Sequence, residues 1–204
     1  MLKLYTHPMS RGRMARWMLE EIGESYDVEY LDYGTTMKAP AYLAINPMGK
    51  VPALVHDGRV VTECPAIIAY LAEAFPQAGL MGDDRAATLR WMFFGAGPLE
   101  YAIVNRALGV EVSPEKSGFV GYGSYDRAIA TLEETLSSRD YLAGARFSAA
   151  DLYLGSQIGY GLQFGTIPAR PTFTAYWDRM KDRPARLRAV ALDDAELARI
   201  KTNG

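Results

Sequence analysis

Lys50-Val51-Pro52-Ala53-Leu54-Val55-His56-Asp57-Gly58-Arg59-Val60-Val61-Thr62-Glu63-Cys64-Pro65 is the stretch that decides the fold. Asp57-Gly58 suits a tight hairpin turn because both positions tolerate positive φ, so the apolar runs 51–55 and 59–62 on either side predict an antiparallel hairpin. Pro52 stands at the start of a strand, where a missing N–H is awkward unless the chain bends, as a cis peptide bond makes it do. Pro65 suits the first turn of a helix. Ile67, Ile68, Leu71 and Phe75 supply that helix's buried stripe before Pro76 stops it. The pattern is strand, strand, helix.

Upstream, Leu2 and Leu4 alternate with Lys3 and Tyr5, the period of a strand that ends at Pro8. From Arg13 the spacing becomes helical. Met14, Trp17, Met18 and Ile22 share one face, Glu20 and Glu21 are expected to face solvent, and Gly23 is the stop signal. Tyr26, Val28 and Tyr30 mark a second strand, followed by a short irregular or helical stretch around 39–45. The first segment therefore reads βαβ, then ββα, over residues 1–77.

Residues 78–84 are small and polar, as a linker would be. Beyond them strand signals fade. A long helix is expected over 86–108 with a kink at Pro98, and a second over 125–136. Ser148 and Asp151 form a capping box, with Phe147 and Leu152 as its hydrophobic staple, and start a third. Trp177 and Met180 mark a last helix ending near Arg183-Pro184. Gly155, Gly159, Gly161 and Gly165 are spaced for close packing within a soluble helix. Residues 85–204 are thus expected to be all helical.

At 204 residues the chain has room for a sizeable core, and 49% hydrophobic with 23% charged residues describes a folded soluble protein rather than a disordered or fibrous one. The net charge of −2, all of it carried by residues 1–77, gives no field for gathering nucleic acid or an acidic membrane. One cysteine, Cys64, and two histidines, His7 and His56, leave no disulfide and no metal-ligand cluster, so a reducing, cytoplasmic setting and no metal are expected. The glycines at 118, 121 and 123 lack the lysine of a phosphate-binding loop, and no G-x-G-x-x-G follows a strand. A Ser10/His7/Asp57 triad has no nucleophile-elbow context, which leaves His7 as a loop residue.

Three places remain. Ser10 lies near the start of the first helix, where its hydroxyl and the helix amides can converge on an anion. Pro52 marks an exposed strand edge, and Glu63-Cys64 precedes another helix N-terminus. Two anion sites and a strand edge suggest an extended, doubly charged small ligand.

Tyr5-Thr6-His7-Pro8-Met9-Ser10-Arg11, Trp17 with Leu19-Glu20-Glu21, Asn46-Pro47-Met48-Gly49-Lys50-Val51-Pro52-Ala53-Leu54 and Glu63-Cys64-Pro65-Ala66-Ile67 resemble the cytosolic glutathione S-transferases, of the bacterial type with serine at the thiol-activating position. The resemblance implies a thioredoxin-like N-terminal domain that binds glutathione, an all-helical C-terminal domain that contributes the electrophile pocket, glutathione as co-substrate, and a homodimer. Carried over by position, it makes Ser10 the hydroxyl that meets the glutathione sulfur. Val51, before Pro52, would pair its backbone with the cysteinyl unit. Lys50 would meet the glycyl carboxylate, and Glu63 with Cys64 would hold the γ-glutamyl end. The family commonly has Ser or Thr where this chain has Cys64, and a thiol is the weaker donor. Tyr101, Asn105 and Arg106 on one helix and Tyr160 and Phe164 on a later one are expected to line the electrophile pocket. The activity implied is glutathione transfer to a small electrophile. The alternatives are a related binding or regulatory protein that lost the chemistry, or a glutathione-dependent isomerase or peroxidase.

Overall fold

The computed structural model describes residues 1–203 and divides into two compact units. The first begins with β1 (Leu2–Thr6), α1 (Gly12–Ile22), β2 (Tyr26–Tyr30), a single helical turn α2 (Pro40–Leu43), β3 (Ala53–His56), β4 (Arg59–Thr62) and α3 (Cys64–Ala74). The sheet order is β2-β1-β3-β4, with β2 parallel to β1 and the other two pairings antiparallel. This is the thioredoxin-like arrangement. The expected hairpin turn is present, with φ of 49° at Asp57 and 80° at Gly58, and the Val51–Pro52 peptide bond is cis. The strand after it begins at Ala53 rather than at Val51.

Leu4 and Leu54 are fully buried in the sheet. From the helices, Met14, Trp17, Met18 and Ile22 of α1 and Ile67, Ile68 and Leu71 of α3 are buried in the same unit. Each such side chain contributes on the order of 1.5–3 kcal/mol by leaving water. A further cluster gathers Tyr5, Leu31, Met37, Tyr42 and Ala53.

The second unit, Leu80–Lys181, is helical: α4 (Arg85–Phe94), α5 (Glu100–Ala107), α6 (Tyr125–Leu136), α7 (Ala149–Phe164) and α8 (Pro171–Asp178). The expected kink at Pro98 is a π-helical turn, Gly95–Leu99, between α4 and α5. A proline removes one ladder donor, and a widened turn accommodates the loss. Close packing holds at Gly155, Gly159 and Gly161 but not at Gly165, which is the left-handed cap that ends α7 and has open space around it. Gly155 faces the Met180 sulfur, and a methyl group on Gly159 would lie 2.7 Å from the Trp177 ring.

The chain then returns to the first unit, which contains the described residues from Asp182 onward. Here the structure corrects three expectations. The last helix does not end near Pro184; Pro184 opens α9 (Pro184–Asn203), a use of proline in the first helical turn. Nor does the end of the chain group with the 85–181 helices, because α9 packs against α1. In that seam Glu20 and Glu21 are shielded rather than solvated. Glu21 accepts from the Arg183 guanidinium at 2.7 and 2.8 Å and from the Trp17 ring N–H at 2.8 Å, and Glu20 accepts from Arg188 at 2.9 Å and the Tyr26 hydroxyl at 2.6 Å. Deeper still, Arg16 Nε lies 3.0 Å from Asp193 Oδ1, both almost fully buried. The pair is an ion pair without hydrogen-bond alignment. Burial pushes the Asp193 carboxyl up to about 6 although Arg16 opposes the shift. Among the described residues no helix is long and apolar enough to cross a membrane.

Candidate active site

Strand register places the first-unit candidates together. Tyr5 pairs with Ala53 across β1 and β3, so the loop leaving β1 and the Lys50-Val51-Pro52 segment entering β3 share one end of the sheet. Ala53 also pairs with Thr62, which brings Glu63 to that end. The parallel Thr6–Tyr30 pairing adds the residues that follow β2. A side-chain contact closes the group, since the Cys64 thiol lies 3.4 Å from the Arg11 carbonyl.

Ser10 is half-buried at the mouth of α1. Its hydroxyl donates to the His7 carbonyl at 2.7 Å and accepts the Gly12 N–H at 2.9 Å. Gly12 is required for this approach: a methyl group there would lie 2.9 Å from Ser10 Oγ and closer still to Thr6 Oγ1. The loop around Ser10 is held at successive positions. Arg13 Nε donates to the Pro8 carbonyl at 2.5 Å while its terminal nitrogen pairs with Asp194 at 2.6 Å. The Tyr33 hydroxyl donates to the Met9 carbonyl at 3.1 Å.

The segment before β3 is held from behind. The Lys50 carbonyl accepts from the Tyr42 hydroxyl at 2.5 Å and from Asn46 Nδ2 at 2.8 Å, and Lys38 Nζ donates to the Gly49 carbonyl at 2.8 Å. Burial pushes the Tyr42 phenol up to about 12, so it stays a donor at neutral pH. Pro52 is buried, Val51 half-buried, and the Lys50 side chain exposed. Residue type and spacing give no sign that Lys38, Tyr42 and Asn46 act as supports, because only the folded turn aims them at these carbonyls.

Glu63 is exposed and has φ 66° and ψ 117° just before α3. A non-glycine residue there costs on the order of 1–3 kcal/mol, and such strain collects at ligand sites. Cys64 is buried at the first position of α3. In the helical unit, Tyr101 is exposed on α5, Asn105 Nδ2 donates to the Tyr122 hydroxyl at 2.9 Å, and the Arg106 guanidinium lies 4.1 Å from the centre of the Tyr125 ring. Tyr160 and Phe164 stack on α7 with ring centres 6.5 Å apart. None of these five side chains is enclosed in the core. No group of three or more potential metal ligands occurs among the described residues.

Two family models match the chain: the glutathione S-transferase N-terminal domain over residues 9–74 and the C-terminal domain over 123–184. The chain is 32% identical to a maleylacetoacetate isomerase of Pseudomonas aeruginosa, covering 90% of this chain and 93% of the relative. It is 30% identical to glutathione S-transferase 3 of Zea mays, covering 93% of each. Among solved structures, a sphingomonad glutathione S-transferase complexed with glutathione superimposes with a TM-score of 0.76 at 31% identity, over 94% of this chain and 98% of that one. Ser10, the Pro52 segment and the opening of α3 all fall inside the first matched region, and likeness at this level spans both units: the chain belongs to the glutathione S-transferase family.

Proposed function

We propose that the protein binds glutathione at the end of the sheet where Ser10, Val51 and Glu63-Cys64 meet, and conjugates it through its sulfur to a small electrophile. The observation that carries this reading is that convergence, set by the β1–β3 and β3–β4 registers. The Val51 backbone takes the cysteinyl unit as a short added strand, Lys50 the glycyl carboxylate, and the α3 N-terminus with Glu63 the γ-glutamyl end. The glutathione complex of the sphingomonad relative supports glutathione as co-substrate.

Ser10 is the proposed catalytic residue. Its hydroxyl rotates from the His7 carbonyl to the glutathione sulfur while still accepting the Gly12 N–H, which polarises the O–H and strengthens it as a donor. A hydrogen bond to a charged group contributes about 1.5–3 kcal/mol, enough to lower a thiol pKa by roughly one to two units from about 8.5. The thiol proton leaves to solvent. The thiolate then forms a sulfur–carbon bond as the electrophile's leaving group departs with its electron pair. Tyr101, Asn105, Arg106, Tyr160 and Phe164 are the helical unit's proposed contribution to electrophile binding. The reading includes a homodimer, which sedimentation tests, and a reducing, cytoplasmic setting in which Cys64 stays a free thiol.

Likeness to the maleylacetoacetate isomerase supports a second reading, glutathione-dependent isomerisation. There the thiolate adds to a conjugated double bond and is expelled after rotation. Glutathione-dependent turnover of aryl halides, epoxides, hydroperoxides and cis-configured unsaturated diketo acids, by the wild type and Ser10→Ala, separates the readings. Binding without turnover of any of these points to a regulatory protein, and absence of glutathione binding overturns the proposal.

A further inference from the structure

His7 has no part in the proposed chemistry, yet it is 4% exposed and holds the Ser10 loop at two points. Its carbonyl accepts the Ser10 N–H at 3.1 Å and the Ser10 hydroxyl at 2.7 Å. Its ring Nδ1 accepts the Met9 N–H at 3.1 Å. The ring packs against Tyr33 with centres 4.5 Å apart, and the Tyr33 hydroxyl donates to the Met9 carbonyl. Both polar backbone groups of Met9, the residue before Ser10, are therefore tied to the His7–Tyr33 pair.

We infer that His7 is a positioning residue, whose neutral imidazole clamps Met9 and so holds the Ser10 hydroxyl in register for the glutathione sulfur. This rests on the Ser10 reading above. Only an unprotonated Nδ1 accepts a hydrogen bond; on protonation it becomes a donor and faces the Met9 N–H with like polarity. The groups facing the ring are Asp32 from the segment after β2, the Tyr33 phenol beside it, and Glu196 from α9, which is itself paired with Arg199. Burial lowers the affinity of the ring for a proton, while Asp32 and Glu196 oppose this; the net direction is down from the ordinary 6.5. A histidine lowered in the folded state binds protons more readily when unfolded, so stability rises with pH through the window that ends near 6.5 and is level above it. The clamp is intact at neutral pH and loosens on acidification.

The test uses His7→Asn, whose Oδ1 stands where Nδ1 does and cannot titrate in this range, with His7→Leu, which has no acceptor, and Ser10→Ala. The bound-glutathione thiolate is followed by ultraviolet absorbance against pH, together with kcat and KM for glutathione with a chlorodinitrobenzene. His7→Leu is expected to reduce the thiolate fraction at neutral pH and kcat by roughly three- to tenfold, the scale of one hydrogen bond, with a smaller change in KM. His7→Asn is expected to recover most of that loss and to lack the acid limb the wild type owes to the imidazole. Wild-type thiolate formation in His7→Leu, or no recovery in His7→Asn, overturns the inference while leaving Ser10 in place. An unchanged thiol pKa in Ser10→Ala overturns the Ser10 reading and the inference together. Should His7→Leu not fold, Tyr33→Phe, which releases the Met9 carbonyl, is expected to lower thiolate formation by about two- to threefold; an unchanged value counts against the clamp.

Discussion

Ser10 and Ser148 each stand at the mouth of a helix, one in each compact unit, and they use the same hydroxyl in opposite ways. Ser148 is fully buried and committed. Its N–H and hydroxyl both meet Asp151 Oδ2, at 2.9 and 2.6 Å, while Oδ1 accepts the Leu142 N–H at 2.8 Å and the Tyr176 hydroxyl at 2.6 Å. Burial pushes the Asp151 carboxyl above the usual range, opposed by these four donors. Ser10 is half-buried, and its proton rests on one backbone carbonyl that keeps a second donor, the Ser10 N–H. A hydroxyl locked into a saturated buried network is structural; one that can release its proton to another acceptor without orphaning a group is available for chemistry.

The contrast breaks most forcefully at Asp151. Asp151→Ala leaves the Leu142 and Ser148 amides and the Tyr176 hydroxyl buried without their acceptor, and is expected to cost about 3–5 kcal/mol in urea unfolding. A loss below about 1 kcal/mol would mean the network is not the lock described. At Ser10 the effect moves from stability to rate. Ser10→Ala is expected to lower kcat/KM for glutathione conjugation roughly ten- to hundredfold, with a stability change near 1 kcal/mol from the lost Gly12 contact. Ser148→Ala should show the reverse pattern, about 1–2 kcal/mol less stable with kcat retained. If both alanine variants lose rate alike, the division between the two serines fails.

The smallest expected effect is at Cys64, where a hydroxyl would be the better donor for a carboxylate at the α3 N-terminus. Cys64→Ser should tighten glutathione binding about two- to tenfold by calorimetry. Unchanged or weaker affinity would mean the backbone amide does this work alone.

Features written in local chemistry were legible before the fold was known. Asp57-Gly58 reads as a hairpin turn because few dipeptides accept positive φ at both positions, and Ser148 with Asp151 reads as a helix start because the spacing itself makes the reciprocal bonds. Pro98 shows where the α4–α5 rod changes pitch. The end of the chain was not legible in this way. Prolines both stop and open helices, so Pro184 is ambiguous by itself. The face of α9 that packs inward carries Ala185, Ala189, Asp193 and Glu196, while Leu187 and Leu192 are exposed. Apolar periodicity therefore gives no sign of its buried side. Glu20 and Glu21 look like a solvated face until Arg183 and Arg188, more than 160 positions away, arrive to pair with them.

The sequence by itself determined the strand and helix order over residues 1–77, the helical character of the second unit, and which residue types stand at the helix mouths it marked, because turn, cap and periodicity signals act over a few neighbouring residues. Only the tertiary structure decided that Ser10, Pro52 and Glu63 share one end of the sheet, that α9 closes over α1, and that the His7 ring holds Met9. Those arrangements depend on strand register and on contacts between distant segments, whose energies come into being only when the chain has brought the partners together and removed the water between them.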